Sequence, residues 1–229
     1  MVFEKLYSEI ERRVNPSNKA VVILGVSGNM GAGKGHFSAE LGDFLKSEKG
    51  ISNFYWNQDR HQKSRKEKEA IRQRILGTGQ ILDSYNLSKA IYFDSYSWDE
   101  MLLYLTRIKN RESIVANDLY QKASGERNLR VSIPLGESNE RIVIVYVGGF
   151  IMHQPVRNFF DVMIVIECEK EERFKRMYER ARKLEKPYEL KRERFNELDD
   201  FTTRYLEENR SSDDLRIDND NFGNRKIII

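Results

Sequence analysis

The run GVSGNMGAGKGHFS at residues 25–38 holds the residue types and spacing most clearly suited to chemistry. Gly28, Asn29, Met30, Gly31, Ala32, Gly33 and Lys34 fit the pattern G-x-x-x-x-G-K. Glycines at that spacing let backbone N–H groups turn inward around phosphate oxygens, and a helix starting there aims its positive end at the same anion. Lys34 would reach the terminal phosphates and offset charge as a phosphoryl group moves. The pattern then departs from its usual form. A Ser or Thr normally follows the lysine and gives its hydroxyl to a nucleotide-bound magnesium, whereas here Gly35 and His36 follow. Ser38 is a helical turn further on and too distant to replace that hydroxyl. His36 makes a poor substitute because magnesium prefers oxygen ligands.

Such a loop works only between a buried strand and a helix, and the flanking sequence predicts both. Residues 20–24, AVVIL, form an unbroken apolar run of the kind buried on both faces of a sheet. Phe37, Leu41, Phe44 and Leu45 recur at helical spacing up to Gly50. Before the strand, Val2, Leu6, Ile10 and Val14 mark a helix closed by Pro16.

Beyond the loop, a short strand is expected at 53–57, leading into Gln58, Asp59 and Arg60. The charged stretch HQKSRKEKEAIRQRI reads as a helix with a solvated face, punctuated by Gly77 and Gly79. Residues 98–111 form a clearer helix, with Trp98, Met101, Leu102, Leu105 and Ile108 on one side. Short strand-like pieces then fill 113–140, consistent with an inserted hairpin. Buried strands follow at 142–147 and 161–167. After them comes an arginine-rich helical stretch interrupted near Pro187, a further helix to about Asn209, and two short terminal strands. Strands alternating with helices predict a three-layer α/β fold with a parallel central sheet, as one domain over residues 1–229.

Composition narrows the setting. The formal charge of +3, from 39 basic and 36 acidic residues, does not suggest a nucleic-acid partner. The single cysteine, Cys168, excludes an intramolecular disulfide, fits a reducing compartment, and reads as an inert buried thiol. No apolar stretch approaches the roughly 18 residues that span a bilayer, and the N-terminus is too charged for a secretory signal. The expected setting is therefore cytoplasmic, without a membrane partner.

Six separated stretches, in order over residues 20–183, resemble the uridine kinase and phosphoribulokinase group of P-loop kinases. GVSGNMGAGKGHF is similar to that group's G-x-S-G-x-x-x-S-G-K-S-T. NQDRHQKS resembles S-Q-D-x-F-Y, with Asp59 on its aspartate, and YFDSYSWDEMLLYLTRIKNRESI is similar to F-D-x-P-x-x-x-D followed by a helix that leads to the insert. YQKASGER is similar to Y-D-x-x-T-x-x-R in a substrate-covering hairpin. IVIVYVGGFIM resembles V-I-V-E-G-I-L, and FFDVMIVIECEKEERFKRMYER resembles the strand that enters an arginine-bearing lid.

The resemblance implies a P-loop fold with a β-hairpin insert at about 113–140 and a helical lid at about 169–190. It implies transfer of a phosphoryl group from ATP to a hydroxyl of a small acceptor, a nucleoside or related sugar-containing metabolite. Residues Gly28 to His36 would hold the donor, with magnesium riding on the nucleotide. Asp59 would activate the acceptor hydroxyl, though a loop carboxylate capping a helix has the same sequence signature. Asp94 would bind sugar hydroxyls, or serve as a plain turn or N-cap residue. Tyr120 and Arg127 would lie over the acceptor, Tyr120 offering an aromatic face to a planar base. Gly125 stands where nucleoside kinases carry a base-contacting histidine.

Arg173, Arg176 and Arg180, at i, i+3 and i+7, would share the lid's functional face unless Glu171, Glu172 and Glu179 neutralise them. The resemblance expects a glutamate at Gly148. Together with Gly35, that departure removes two oxygen ligands for magnesium and leaves metal coordination open. It also raises an alternative, a nucleotide-binding or regulatory protein with impaired catalysis on the same fold. Edge strands of the insert could pair between subunits.

Overall fold

The computed structural model describes residues 2–15, 19–78, 82–135, 140–183, 192–221 and 225–228. Pro16, Gly79, most of GESNE and the stretch around Pro187 lie outside them. By density of internal contacts the chain forms two units, Met1–Trp56 with Asn139–Ile229, and Asn57–Ser138.

The first unit is built on a six-stranded sheet. Helix α1 (Val2–Val14) precedes β1 (Val21–Gly28), α2 (Lys34–Ser47) and β2 (Ser52–Asn57). After the second unit come β5 (Ile142–Val147), β6 (Val162–Glu167), α6 (Lys170–Lys183), α7 (Arg192–Asn209), β7 (Leu215–Asp218) and β8 (Lys226–Ile228). The strand order is β2-β5-β1-β6-β7-β8. β1 runs parallel to both β5 and β6, β6 runs parallel to β7, and β8 pairs antiparallel with β7 at the edge.

Apolar residues continue without alternation along β1, β5 and β6 because both faces of these strands are covered. On one face Val22, Leu24, Val26, Val143, Val145, Ile164 and Ile166 meet Leu6, Ile10 and Val14 of α1 and Phe37, Leu41 and Leu45 of α2. The other face buries Ile23, Ile144 and Tyr146, whose ring lies 5.5 Å from that of Phe160. On α7, the Tyr205 hydroxyl donates to the Phe150 carbonyl at 3.0 Å. The predicted three-layer α/β fold is the one observed. No helix among the described residues is long and apolar enough to cross a membrane.

The second unit opens with a 3-10 turn (Gln58–His61), followed by α3 (Arg65–Gly77), α4 (Ser84–Asp94), α5 (Trp98–Lys109) and a hairpin of β3 (Ile114–Gln121) and β4 (Glu126–Ile133). A capping box starts α3, with Ser64 accepting from the Glu67 N–H and Glu67 accepting from that of Ser64. α4 has no counterpart in the sequence reading, which placed only Asp94 there. Its one buried residue is Tyr85, so it lacks a stripe to betray it, although Asp83 caps it through the Asn86 N–H at 2.8 Å. α5 buries Met101, Tyr104, Leu105 and Ile108, and β3 buries Ile114, Ala116 and Leu119.

Candidate functional site

β1 delivers the glycine loop from the middle of the sheet. Its last residue, Gly28, has φ +145°, and a Cβ there would meet the Ile166 carbonyl oxygen at 2.4 Å. At Gly31, φ is +78° and a Cβ would lie 2.6 Å from the Arg173 carbonyl oxygen. Both positions exclude a side chain, by conformation and by space. Gly33, also left-handed, is the N-cap of α2 and supplies no side-chain cap, nor does the first turn carry an acidic residue. The opening amides of α2 therefore have no side-chain acceptor from their own cap, which suits them to an external anion. Lys34 folds across the loop, its Nζ donating to the carbonyls of Gly28 at 2.8 Å and Asn29 at 3.0 Å. Asn29 Nδ2 donates to Thr203 Oγ1 of α7 at 2.9 Å. Met30 sits half-buried at the bend of the loop.

Nucleotide phosphates fit this donor set; a protein-held magnesium does not. A Cβ on Gly35 would have Tyr55 Oη, 4.0 Å away, as its only close neighbour, so packing does not demand a glycine there. His36 is exposed, with Nε2 3.6 Å from Glu40 Oε1. Gly148 follows β5 beside β1, its N–H donating to the Val26 carbonyl at 3.1 Å, and its φ is not left-handed. Neither Gly35 nor Gly148 offers an oxygen donor from a side chain. Glu167, ending β6, gives both carboxylate oxygens to Arg216 at 2.7 and 2.8 Å. Among the described residues no group of three or more His, Cys, Asp or Glu could hold a metal.

The three arginines singled out on α6 have different surroundings. Arg173 is buried, pairs with both oxygens of the buried Asp199, and donates from Nε to the Cys168 carbonyl at 2.8 Å. Its own carbonyl backs Gly31, so this pair braces the loop from behind. Arg176 donates to Glu172 at 2.9 Å and to the carbonyls of Asn219 and Asp220 at 2.8 and 2.7 Å. Arg180 is exposed on the last turn of α6. Cys168 is half-buried, and burial pushes its thiol up to about 12, so it stays protonated and inert. Nearby, a cavity of about 650 Å³ is lined by Glu167, Cys168, Lys170, Arg173, Asp199 and Asp220, among others.

Asn219 was not foreseen. It is fully buried, and its Nδ2 donates to the Ala32 carbonyl at 2.6 Å. Because a trans peptide points its C=O and N–H opposite ways, that bond directs the Gly33 N–H away from Asn219. Arg225 holds Asn219 in place through a 2.5 Å bond from Nε to Oδ1, while its other end lies 2.5 Å from Glu40 Oε2. No periodic or motif signal marks either residue.

The second unit gathers a separate polar cluster. Asn57 caps the 3-10 turn by accepting from the Asp59 N–H at 2.8 Å, so Asp59 itself is not the cap. Asp59 Oδ1 accepts from Gln62 Nε2 at 2.9 Å and from the Tyr96 hydroxyl at 3.2 Å, and Lys122 Nζ lies 3.9 Å from Oδ2. Burial, then the neighbouring Asp59, raise the Tyr96 pKa well above its ordinary value, keeping the hydroxyl a donor. Gln62 also accepts from Lys68 Nζ at 2.8 Å through Oε1 and from Arg127 at 2.9 Å through its carbonyl.

Arg127 continues to Glu100 at 2.7 Å, and Glu100 to the buried His61 Nδ1 at 3.1 Å. Burial pushes the Glu100 carboxyl up, but the His61 and Arg127 hydrogen bonds outweigh it and hold the pKa below its usual value. Burial dominates at His61 and lowers its pKa, leaving a neutral ring that donates from Nδ1.

Tyr120 faces Arg127 across the hairpin, and its ring is buried with Lys68 Nζ 4.2 Å from the centroid. Asp59, Tyr120 and Arg127 are thus brought together. Asp94 is not part of the cluster: its carboxylate pairs with Arg74 at 2.7 Å, both side chains exposed. Gln62, Lys68, Tyr96 and Glu100 complete the cluster. Gln62 and Lys68 were hidden in a stretch that reads as solvated charge.

No protein-family model matches the sequence, and neither does any curated protein. Solved structures do. A protein from Silicibacter sp. TM1040, provisionally described as a fructose transport system kinase, is similar at TM-score 0.65 and 16% identity, over 94% of this chain and 98% of that one. A D-glycerate 3-kinase from Cryptococcus neoformans gives TM-score 0.62 at 12% identity, over 94% and 93%. A protein from Bacillus stearothermophilus, provisionally described as a uridine kinase, gives TM-score 0.50 at 18% identity, over 87% and 96%. At these identities the likeness is one of fold: the chain has the fold of uridine kinase and phosphoribulokinase-like P-loop kinases.

Proposed function

We propose that this protein is a phosphotransferase that moves the terminal phosphoryl group of ATP to a hydroxyl of a small acceptor, a nucleoside or related sugar-containing metabolite. The observation that carries this reading is the glycine-locked loop opening α2, where the N-cap Gly33 supplies no side-chain acceptor and Lys34 folds back across the loop. The fold shared with kinases of three different descriptions supports it.

In this reading ATP, when bound, supplies the phosphoryl group and carries its own magnesium, and no step needs a metal ligand from the chain. The amides of residues 31–36 and Lys34 hold the phosphates and offset negative charge. Asp59 takes the proton of the acceptor hydroxyl as its oxygen bonds to phosphorus and the bond to the leaving nucleotide breaks. Tyr96 and Gln62 hold one Asp59 oxygen, leaving Oδ2 for that proton. Arg127 and Tyr120 shape the acceptor side, and Asp94 reaches the acceptor only if it exchanges Arg74 for sugar hydroxyls. Arg176 and Arg180 stabilise the phosphoryl group in transit, and Arg173 anchors the lid that carries them. The working environment is the cytoplasm.

The test is a phosphoryl-transfer assay of the purified chain with ATP, magnesium and a panel of nucleosides, sugars and sugar phosphates. Turnover should fall about 10²- to 10⁴-fold in Asp59→Asn, the usual range for a general base. Gly35 and Gly148, which lack oxygen donors, favour a second reading, a nucleotide-binding regulator. Tight ATP binding with no turnover on any acceptor would select it.

A further inference from the structure

We propose that the acceptor carries an anionic group, a phosphate or carboxylate, and that Lys68 receives it with Lys122 alongside; this rests on the kinase reading of the same site. Lys68 is half-buried, yet the partners of its ammonium are neutral, the Gln62 amide oxygen at 2.8 Å and the Tyr120 ring at 4.2 Å. No carboxylate among the described residues lies within ion-pairing distance of it. The other charges in the cluster are matched: Arg127 by Glu100, and Lys122 at longer range by Asp59. A partly desolvated cation held by a dipole and a π face retains most of its capacity for an anion.

The position is also suitable. Gln62 contacts both Lys68 Nζ and the Asp59 carboxylate, so an anion on Lys68 would be one short polyol length from the group that activates the hydroxyl. The same arrangement argues against a nucleoside. A base stacking on Tyr120 would have to displace the ammonium from a ring only 7% exposed.

Titration calorimetry on the full chain, with a non-hydrolysable ATP analogue present, can compare glycerate with glycerol and ribose 5-phosphate with ribose, alongside uridine. Each anionic compound should bind at least about 10-fold more tightly than its neutral counterpart, as expected for a charge-assisted contact. That preference should shrink as salt rises. Lys68→Met should reduce it to within about threefold while nucleotide affinity and the unfolding midpoint hold, and Lys68→Arg should restore much of it. Comparing the two anions tells phosphate from carboxylate.

Equal binding of charged and neutral probes, an undiminished preference in Lys68→Met, or no binding by any probe would overturn the proposal. Anion binding without phosphoryl transfer would leave it standing and defeat the kinase reading. Transfer to neutral acceptors alone would do the reverse.

Discussion

At the end of β1, three left-handed glycines place backbone amides where an anion can sit, and the side chains behind them act as struts. Around Asp59, the polar contacts come from side chains with almost no backbone constraint on their identity. The first region is fixed by what cannot be added, since a Cβ at Gly28 or Gly31 collides with a carbonyl oxygen. The second is fixed by what each group donates or accepts, and one substitution would re-route it. A backbone site should tolerate little change nearby but keep its chemistry; a side-chain site should survive as structure while changing its ligand.

The contrast breaks most sharply at the strut behind Gly31. Removing Asp199 leaves the buried Arg173 guanidinium without its bidentate partner, and breaking such a pair costs about 3–5 kcal/mol. Asp199→Ala should therefore lower stability by that amount in denaturant unfolding and weaken nucleotide binding in parallel. Loss of stability with no change in nucleotide affinity would mean that Arg173 braces the fold and not the loop.

Lys34 offers the next largest effect. A charge-assisted hydrogen bond contributes about 1.5–3 kcal/mol, so Lys34→Ala should weaken ATP binding roughly 10- to 100-fold. Its unfolding midpoint should stay close to that of the parent chain, because the ammonium bonds carbonyls of its own loop. Unchanged ATP affinity would remove the phosphate role of the loop.

The Asp59 region has a property that the loop lacks, a titratable support. His61 has a folded pKa below its ordinary 6.5, because burial disfavours the imidazolium. As pH falls through about 6.5 the unfolded chain takes up a proton that the folded chain resists, so stability falls with acidification. The contribution is complete above that pH and declines below it. Glu100, held below its ordinary 4.5, adds a further loss in more acidic solution. Urea unfolding between pH 7.5 and 5.5 should show the decline, and His61→Gln, which keeps a donor but cannot titrate, should flatten it. An equal slope in both proteins would place the titrating group elsewhere.

These differences also explain what the sequence revealed. The loop was legible because its glycines are demanded at fixed spacing by backbone geometry, and β1 and α2 announce themselves by an apolar run and a helical stripe. Asp59 and Arg127 were singled out by resemblance, but Gln62 and Lys68, which join them in the polar cluster, lie in HQKSRKEK, where an amide or amine looks like any solvated residue. Asn219 and Arg225 meet Ala32 and Glu40 across nearly the whole length of the chain, and no local pattern encodes such a contact. α4 was missed because it buries so little.

The smallest effect bears on the residue that makes the loop unusual. At Gly35 the space is open and the backbone permits a side chain, so Gly35→Ser should fold normally. Gly148 has no left-handed φ either, which leaves Gly148→Glu conformationally allowed. If these positions are vacated oxygen ligands, the double substitution should raise magnesium-dependent turnover a few-fold and sharpen its dependence on the metal. It should leave ATP affinity in the absence of metal unchanged, because the amides and Lys34 supply that binding. A gain confined to the double variant would mean that the two oxygens act on one ion. No gain would mean that the nucleotide phosphates already satisfy the metal, so that this loop lost its hydroxyl without losing its chemistry.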